Sequence, residues 1–200
     1  MLVTVFADAS HCPETKAAGY GCFVKSSRIS HDDRDYFSGP IKTKVEDNVC
    51  AEMMACVNGV FHAIKSGKLR SGDHVLLQCD CISALRILTE NSQCNTKSKR
   101  EAVIHLKMLM RIHNFTLGFR HVKGHSGIQD ARSAVNRQCD KLAREHMQAM
   151  RQKFRNEKNK KPRSKPVKLG SSKELRKFKA SRPKGGSGYL SPWGKSWGGH

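Results

Sequence analysis

Apolar and polar residues alternate in the first fifth of the chain, and this alternation predicts β-strands. Residues 2–8 alternate in this way, and residues 19–26 and 34–38 fit two further strands. Turn-forming residues separate the three segments, so hairpin connections and antiparallel pairing are expected. Pro40 lacks a backbone N–H and is predicted to end the third strand.

The apolar spacing then changes to steps of three and four residues, which is the repeat of a helix. The apolar positions of this helix are Val49, Met53, Cys56, Val57, Val60 and Ile64. Asp47 or Asn48 can cap its N-terminus, and Ser66–Gly67 can close it.

Five more segments complete the pattern: a strand over 74–79, a short helix over 82–90, a helix around 102–110, a strand over 115–122, and a helix from 135 to about 150. The order β-β-β-α-β-α-α-β-α predicts an α/β fold, in which a mixed five-stranded sheet is flanked by helices. Ligands of such sheets bind beyond the carboxyl ends of the parallel strands.

Charge divides the chain into two parts. The whole protein carries a net charge of +20, and residues 151–200 hold 16 Lys or Arg against two acids, a net of +14. We therefore predict a folded domain over 1–149 and a basic, disordered tail over 150–200, because the tail has too little apolar surface to fold. Such a charge favours phosphate backbones over lipid, since no amphipathic apolar face accompanies it.

The same composition bounds the cellular setting. No apolar stretch reaches the ~18 residues of a membrane-spanning helix, and the start of the chain has no secretory pattern. Eight cysteines without such a signal indicate reduced thiols in a cytoplasmic compartment. The host cytoplasm of a virus, the nucleus and an organelle stay open as alternatives.

Four acids occupy distinctive positions. Asp8 closes the first strand, Asp80 follows the strand over 74–79, and Glu52 and Asp140 lie in helical patterns. Alone, each has an ordinary explanation as a turn residue, a helix cap, a solvated side chain or an i,i+4 partner. Together, carboxylates at strand ends in a basic protein favour a hard divalent metal ion and a polyanionic substrate.

Two further segments add to this pattern: His121 to Gly127 (HVKGHSG) and Cys139 to Ala143 (CDKLA). With the four acids in order, they resemble ribonuclease H of the type 1 class, over roughly residues 2–148. The resemblance implies an RNase H-like fold. It also implies an endonuclease that cleaves the RNA strand of RNA–DNA hybrids by a two-metal mechanism.

Site roles follow from the resemblance residue by residue. It makes Asp8, Glu52, Asp80 and Asp140 catalytic ligands of two Mg²⁺ ions, for which Mn²⁺ can substitute. It makes His125 a catalytic residue that assists proton transfer or product release. We also expect contacts to nucleic acid from six polar residues: Ser10, Asn48, Lys97, Lys99, Arg100 and Lys123.

The chain departs from the family pattern at several positions. Ala9 stands where glycine is usual, Cys81 where serine is usual, and Arg137 where an acid is common. None of these changes removes a metal ligand. They keep open a weakly catalytic or inactive module that binds hybrids or duplexes, and an RNase H-fold nuclease that acts on another nucleic acid.

Trp193 and Trp197 lie among basic residues near the end of the tail. Aromatic rings interleaved with Lys and Arg can stack on bases, which predicts that the tail anchors nucleic acid. A short docking motif for a protein partner is the alternative. No feature of the sequence indicates an obligate dimer, so a monomer is expected.

Overall fold

The computed structural model describes residues 1–28, 35–90, 94–122 and 131–160. Within these ranges the elements are β1 (Leu2–His11), β2 (Ala18–Ser26), β3 (Asp35–Pro40), α1 (Asn48–Lys65), β4 (His74–Cys79), α2 (Ile82–Glu90), α3 (Lys97–His113), β5 (Thr116–His121) and α4 (Ala131–Lys160). The predicted order of strands and helices is confirmed.

The five strands form one sheet in the order β3-β2-β1-β4-β5. β1 and β2 pair antiparallel, with Asp8 opposite Gly21, and β2 and β3 pair antiparallel as well. β1, β4 and β5 run parallel. The predicted mixed sheet is therefore confirmed, and the carboxyl ends of β1 and β4 point toward the same edge.

Helix α1 begins where its capping residue predicts. The Asp47 side chain accepts a hydrogen bond from the backbone N–H of Cys50 at 2.8 Å, which satisfies one of the free donors of the first turn. Most of α1 is buried against the sheet, and its apolar residues join those of β1, β2 and β4 in the main core.

Helix α4 continues to Lys160, ten residues beyond its predicted end. Its half-buried positions Met147, Met150 and Phe154 keep the helical spacing through this part of the chain. Arg151 also reaches the β1–β2 turn, where its Nη2 lies 3.3 Å from Glu14 Oε2. Apolar packing and this contact extend the helix into residues whose basic composition resembles a tail. No helix among the described residues is long and apolar enough to cross a membrane.

Two glycines let α4 approach the sheet closely. A Cβ at Gly21 would lie 2.2 Å from the carbonyl oxygen of Cys139, and one at Gly19 would lie 2.4 Å from that of Ala143. Any larger residue would separate the helix from β2. Since Gly21 is the partner of Asp8 in the sheet, this approach brings the turn that carries Asp140 beside β1.

Candidate metal centre and active site

The four predicted acids come together although they belong to different parts of the fold. Asp8 lies in β1, Glu52 in α1, Asp80 directly after β4, and Asp140 in α4. All four line one cavity of about 500 Å³ at the carboxyl edge of the parallel strands. Their convergence is the central geometric feature of the molecule.

Glu52 is held in place by two donors. The backbone N–H of Ala9 donates to Glu52 Oε2 at 3.1 Å, and the Cys79 thiol donates to the same oxygen at 3.7 Å. The side chain is buried, and this burial, together with Cys79, Asp8 and Asp80, raises its pKa well above the usual value. The contact with Cys79 is a feature that the sequence did not reveal, because a cysteine in an apolar strand has the pattern of a core residue.

Asp8 is also a buried carboxyl group whose pKa is raised by its surroundings. Its side chain is 5% exposed. Burial, followed by the charges of Asp80 and Asp140, raises its pKa to about 7, against the smaller opposing effects of the Ala9 N–H and Arg144. A cluster in which the charged forms repel each other in this way becomes favourable when cations neutralise it.

Asp140 has its own basic partner one helical turn away. Arg144 donates to Oδ1 from Nε at 2.8 Å and to Oδ2 from Nη2. This two-point contact fixes the plane of the carboxylate. The backbone carbonyl of Asp80 is fixed as well, by a hydrogen bond of 2.9 Å from Nε2 of His121.

The donor atoms of the cavity suit a hard divalent cation. Ligand atoms of Glu52, Cys79 and Asp80 lie within 4.8 Å of one another. Contact with Cys56, followed by burial, raises the pKa of the Cys79 thiol well above its usual value, so this group acts as a hydrogen-bond donor and the oxygens remain as ligands. Asn136 also lines the cavity. Its Oδ1 atom is buried and lacks a hydrogen-bond partner among the described residues. Mg²⁺ and Mn²⁺ favour such oxygen-rich sites.

The predicted nucleic-acid contacts fall into two groups. Asn48 is exposed and lines the cavity, and Ser10 is half-buried two residues beyond Asp8 on β1. Lys97 and Arg100 are exposed at the start of α3. Lys99 is buried instead, and its Nζ lies 2.7 Å from Asp47 Oδ2. Lys99 therefore joins α3 to the N-terminus of α1. Its ammonium group does not face solvent, and the predicted contact of Lys99 with nucleic acid is wrong.

The remaining predicted site residues are Lys123, His125, Trp193 and Trp197, and they lie outside the described residues. The structure adds Cys81, Ser133, Asn136 and Arg137 to the lining of the cavity. The helical spacing of Ser133, Asn136 and Arg137 around Asp140 could have identified them, since residues three and four apart share a helix face.

Comparison with known proteins agrees with this fold. The RNase H family pattern matches residues 2–148, and the chain belongs to the RNase H family. Members of this family are divalent-metal-dependent nucleases, and the chain is accordingly a ribonuclease H, a hydrolase of phosphodiester bonds. No curated protein matches the chain.

Several solved structures share the fold. The N-terminal RNase H domain of a Mycobacterium tuberculosis protein, solved as a fusion with maltose binding protein, is 18% identical, with a TM-score of 0.58 over 76% of this chain and 97% of that chain. RNase H1 from the archaeon Halobacterium salinarum is 19% identical, with a TM-score of 0.56 over 74% and 99%. LC11-RNase H1, solved in complex with an RNA/DNA hybrid, is 14% identical, with a TM-score of 0.53 over 74% and 97%.

Proposed function

We propose that this protein cuts internally within the RNA strand of RNA–DNA hybrids, using two Mg²⁺ ions held by Asp8, Glu52, Asp80 and Asp140. The observation that carries the proposal is the convergence of these four carboxylates, from four separate elements, on one cavity. Mn²⁺ is the expected substitute ion. Two bound ions would stabilise the charge on the attacking and leaving oxygens of an in-line displacement.

The residues of the chain orient the ligands and the substrate. Ala9 and Cys79 hold Glu52 through its Oε2 atom, and Arg144 holds the plane of Asp140. Asn48, which lines the cavity, is proposed to contact the sugar–phosphate backbone, where the 2′-OH group distinguishes RNA from DNA. His125 is proposed to move protons or to assist release of the product.

The segment beyond α4 is proposed to strengthen substrate binding. Residues 161–200 contain 11 Lys or Arg and one acid, and they include Trp193 and Trp197, whose rings could stack on bases. A protein partner that binds the Trp-containing end is the alternative occupant. We further propose that the protein acts as a monomer in a reducing, cytoplasmic setting.

A second candidate function is a hybrid-binding module with feeble catalysis. Arg137 favours it, because this exposed cation lines the cavity at a position where an acid is common in the family. A guanidinium beside the acids would compete with metal ions for them. The third candidate, cleavage of another nucleic acid on the same fold, differs from the first only in substrate.

A cleavage assay separates these functions. A labelled RNA–DNA hybrid is incubated in Mg²⁺ with the protein and with its Asp80→Asn variant, beside RNA–RNA and DNA–DNA duplexes. Internal cutting of the hybrid alone, lost in the variant, is the expected result. Salt-sensitive binding without cutting would favour the binding module, and cutting of another duplex would favour the third candidate.

A further inference from the structure

Five basic side chains and one glutamine follow one line along α4, which begins at the active site. The line contains Arg137, Lys141, Arg144, Gln148, Arg151 and Arg155. Successive members are 4, 3, 4, 3 and 4 residues apart, which places them on one stripe of the helix surface. We call these six residues the α4 stripe.

The stripe is connected to the active site at its first turns. Arg137 lines the cavity of the four acids, and Arg144 is hydrogen-bonded to Asp140. The buried residues Cys139 and Ala143 lie on a different face of the helix. At the rise of an α-helix, the path from Arg137 to Arg155 covers about 27 Å. The stripe therefore extends from the cavity of the four acids to a surface well outside that cavity.

The outer end of the stripe is arranged to receive an anion. Gln148, Arg151, Gln152 and Arg155 line a cavity of about 300 Å³. Nε of Arg151 is buried and lacks a hydrogen-bond partner among the described residues. Two guanidinium groups and two amide side chains around one opening offer several N–H donors, which is the chemistry that binds phosphate oxygens.

Glu14, in the β1–β2 turn, is the acid that faces this end. Its Oε2 lies 3.3 Å from Arg151 Nη2 and 3.7 Å from Arg155 Nη2. Its side chain is 71% exposed, and that of Arg155 is 56% exposed. Ion pairs this exposed contribute little free energy, so a phosphate group can compete with Glu14 for both arginines.

We infer that the α4 stripe is a binding surface for the phosphate backbone of nucleic acid that extends out of the active site, with Glu14 as an internal competitor. The inference rests on the proposed function, because it assigns the stripe to the same substrate. It places a structured basic surface on the face of the sheet opposite to α3, the helix that carries Lys97 and Arg100.

The test uses the full chain and one pair of substitutions that removes two positive charges, Arg151→Gln with Arg155→Gln. We expect KM for a hybrid to rise on the order of tenfold at moderate salt, because two phosphate contacts are lost. The turnover rate at saturating hybrid should be unchanged, since neither residue lines the cavity of the four acids. The slope of log affinity against log salt should become less steep by about 1.5–2.

A matched control has the same charge change and spacing on another helix. Lys107→Gln with Arg111→Gln removes two exposed cations from α3, near the end of the sheet away from the acids. This variant should leave KM and the salt slope nearly unchanged. Equal effects of the two double variants would overturn the inference, because net charge alone would then account for both.

Glu14→Gln distinguishes phosphate binding by the two arginines from a purely structural role of their ion pairs with Glu14. If Glu14 competes with phosphate, its removal lowers KM, which is opposite in sign to the effect of removing the arginines. If the ion pairs only hold α4 in place, both substitutions raise KM and lower the melting temperature, and the inference fails. Absence of hybrid cleavage by the unaltered protein would instead contradict the proposed function. Fluorescence anisotropy on the same variants would still test the stripe in that case.

Discussion

At the scale of single residues, Asp8 links the chemistry of the site to the stability of the protein. Burial and its acidic neighbours raise its pKa from 3.8 to about 7. A carboxyl group whose pKa is raised on folding binds protons more tightly in the folded state. Its stabilising contribution is complete below about pH 4 and is lost as the pH rises through about 7.

We therefore expect metal-free Asp8→Asn to be more stable than the unaltered protein at pH 8, by on the order of 2–4 kcal/mol, while hybrid cleavage is lost. The asparagine keeps the shape of the side chain and removes the buried charge. Urea unfolding in the presence of a chelator, at pH 5 and at pH 8, measures the effect.

Glu90→Gln serves as the control for Asp8→Asn, because Glu90 is an exposed acid at the end of α2. It should change neither stability nor its pH dependence. The prediction is contradicted if Asp8→Asn and the unaltered protein have the same free energy of unfolding at both pH values. That result would show that the charge on Asp8 does not destabilise the folded state.

Cys79 is the residue whose contribution is tested most simply. Cys79→Ala removes the thiol that donates to Glu52 Oε2, and loss of such a supporting hydrogen bond typically weakens metal binding by about 10–100-fold. Cys79→Ser keeps a donor at the same position and should retain most of the affinity. Cleavage rates across a Mg²⁺ titration measure both, and equal loss in the two variants would assign Cys79 to packing alone.

Sequence reasoning at this scale found the four carboxylates and the i,i+4 partner of Asp140, but it did not find the contacts of Cys79 and Lys99. Each acid alone has an ordinary explanation, and the four stand out only together, because Asp8 and Asp80 end apolar strands and the order of all four resembles a known family. Cys79 and Lys99 do not stand out in this way. A thiol in an apolar strand resembles a core residue, and a lysine in a polar helix resembles a surface residue; only their tertiary neighbours, Glu52 and Asp47, reveal the contacts.

At the scale of elements, the position of α4 depends on the absence of side chains in β2. Gly21→Ala would place a methyl group 2.2 Å from the carbonyl oxygen of Cys139, and a helix backbone cannot yield as a flexible side chain can. We expect α4 to be displaced, with a loss of about 2–4 kcal/mol in the free energy of unfolding and weaker Mg²⁺ binding, because Asp140 moves with the helix.

Gly118→Ala is the matched control in β5. There the new methyl group would meet Nε2 of His74 at 2.8 Å, which is the far end of a side chain that can rotate away. Unfolding by urea and Mg²⁺-dependent cleavage should both change less than in Gly21→Ala. If Gly21→Ala left the Mg²⁺ dependence of cleavage unaltered, the prediction would be wrong. The position of Asp140 would then not depend on the close approach of α4 to β2.

Element order and type could be predicted because the apolar period changes clearly between strands and helices. The extent of α4 could not. Residues 151–160 contain five Lys or Arg, and composition of this kind favours a solvated segment. The helix continues because Phe154 is half-buried against the fold and because Arg151 and Arg155 reach Glu14, and both are contacts between distant parts of the chain.

At the scale of the whole molecule, positive charge should govern affinity more than turnover. Removal of residues 161–200 takes away 11 Lys or Arg and one acid and leaves every described element complete. We expect weaker hybrid binding and a less steep dependence on salt, with the turnover rate at saturating hybrid preserved. Initial rates at 50 and 200 mM salt measure this, and a truncated protein without any cleavage activity would favour the binding-module function.

The proposed metal ligand Asp140 and the outermost arginine of the α4 stripe, Arg155, lie on one continuous helix, so the distance between them is fixed. The rise from Asp140 to Arg155 is about 22 Å, which is the length of roughly six or seven base pairs. A hybrid whose end is gripped by Arg155 would then be cut at a constant distance from that end. Products should form a narrow ladder of lengths, and substitution of Arg151 and Arg155 by glutamine should broaden it.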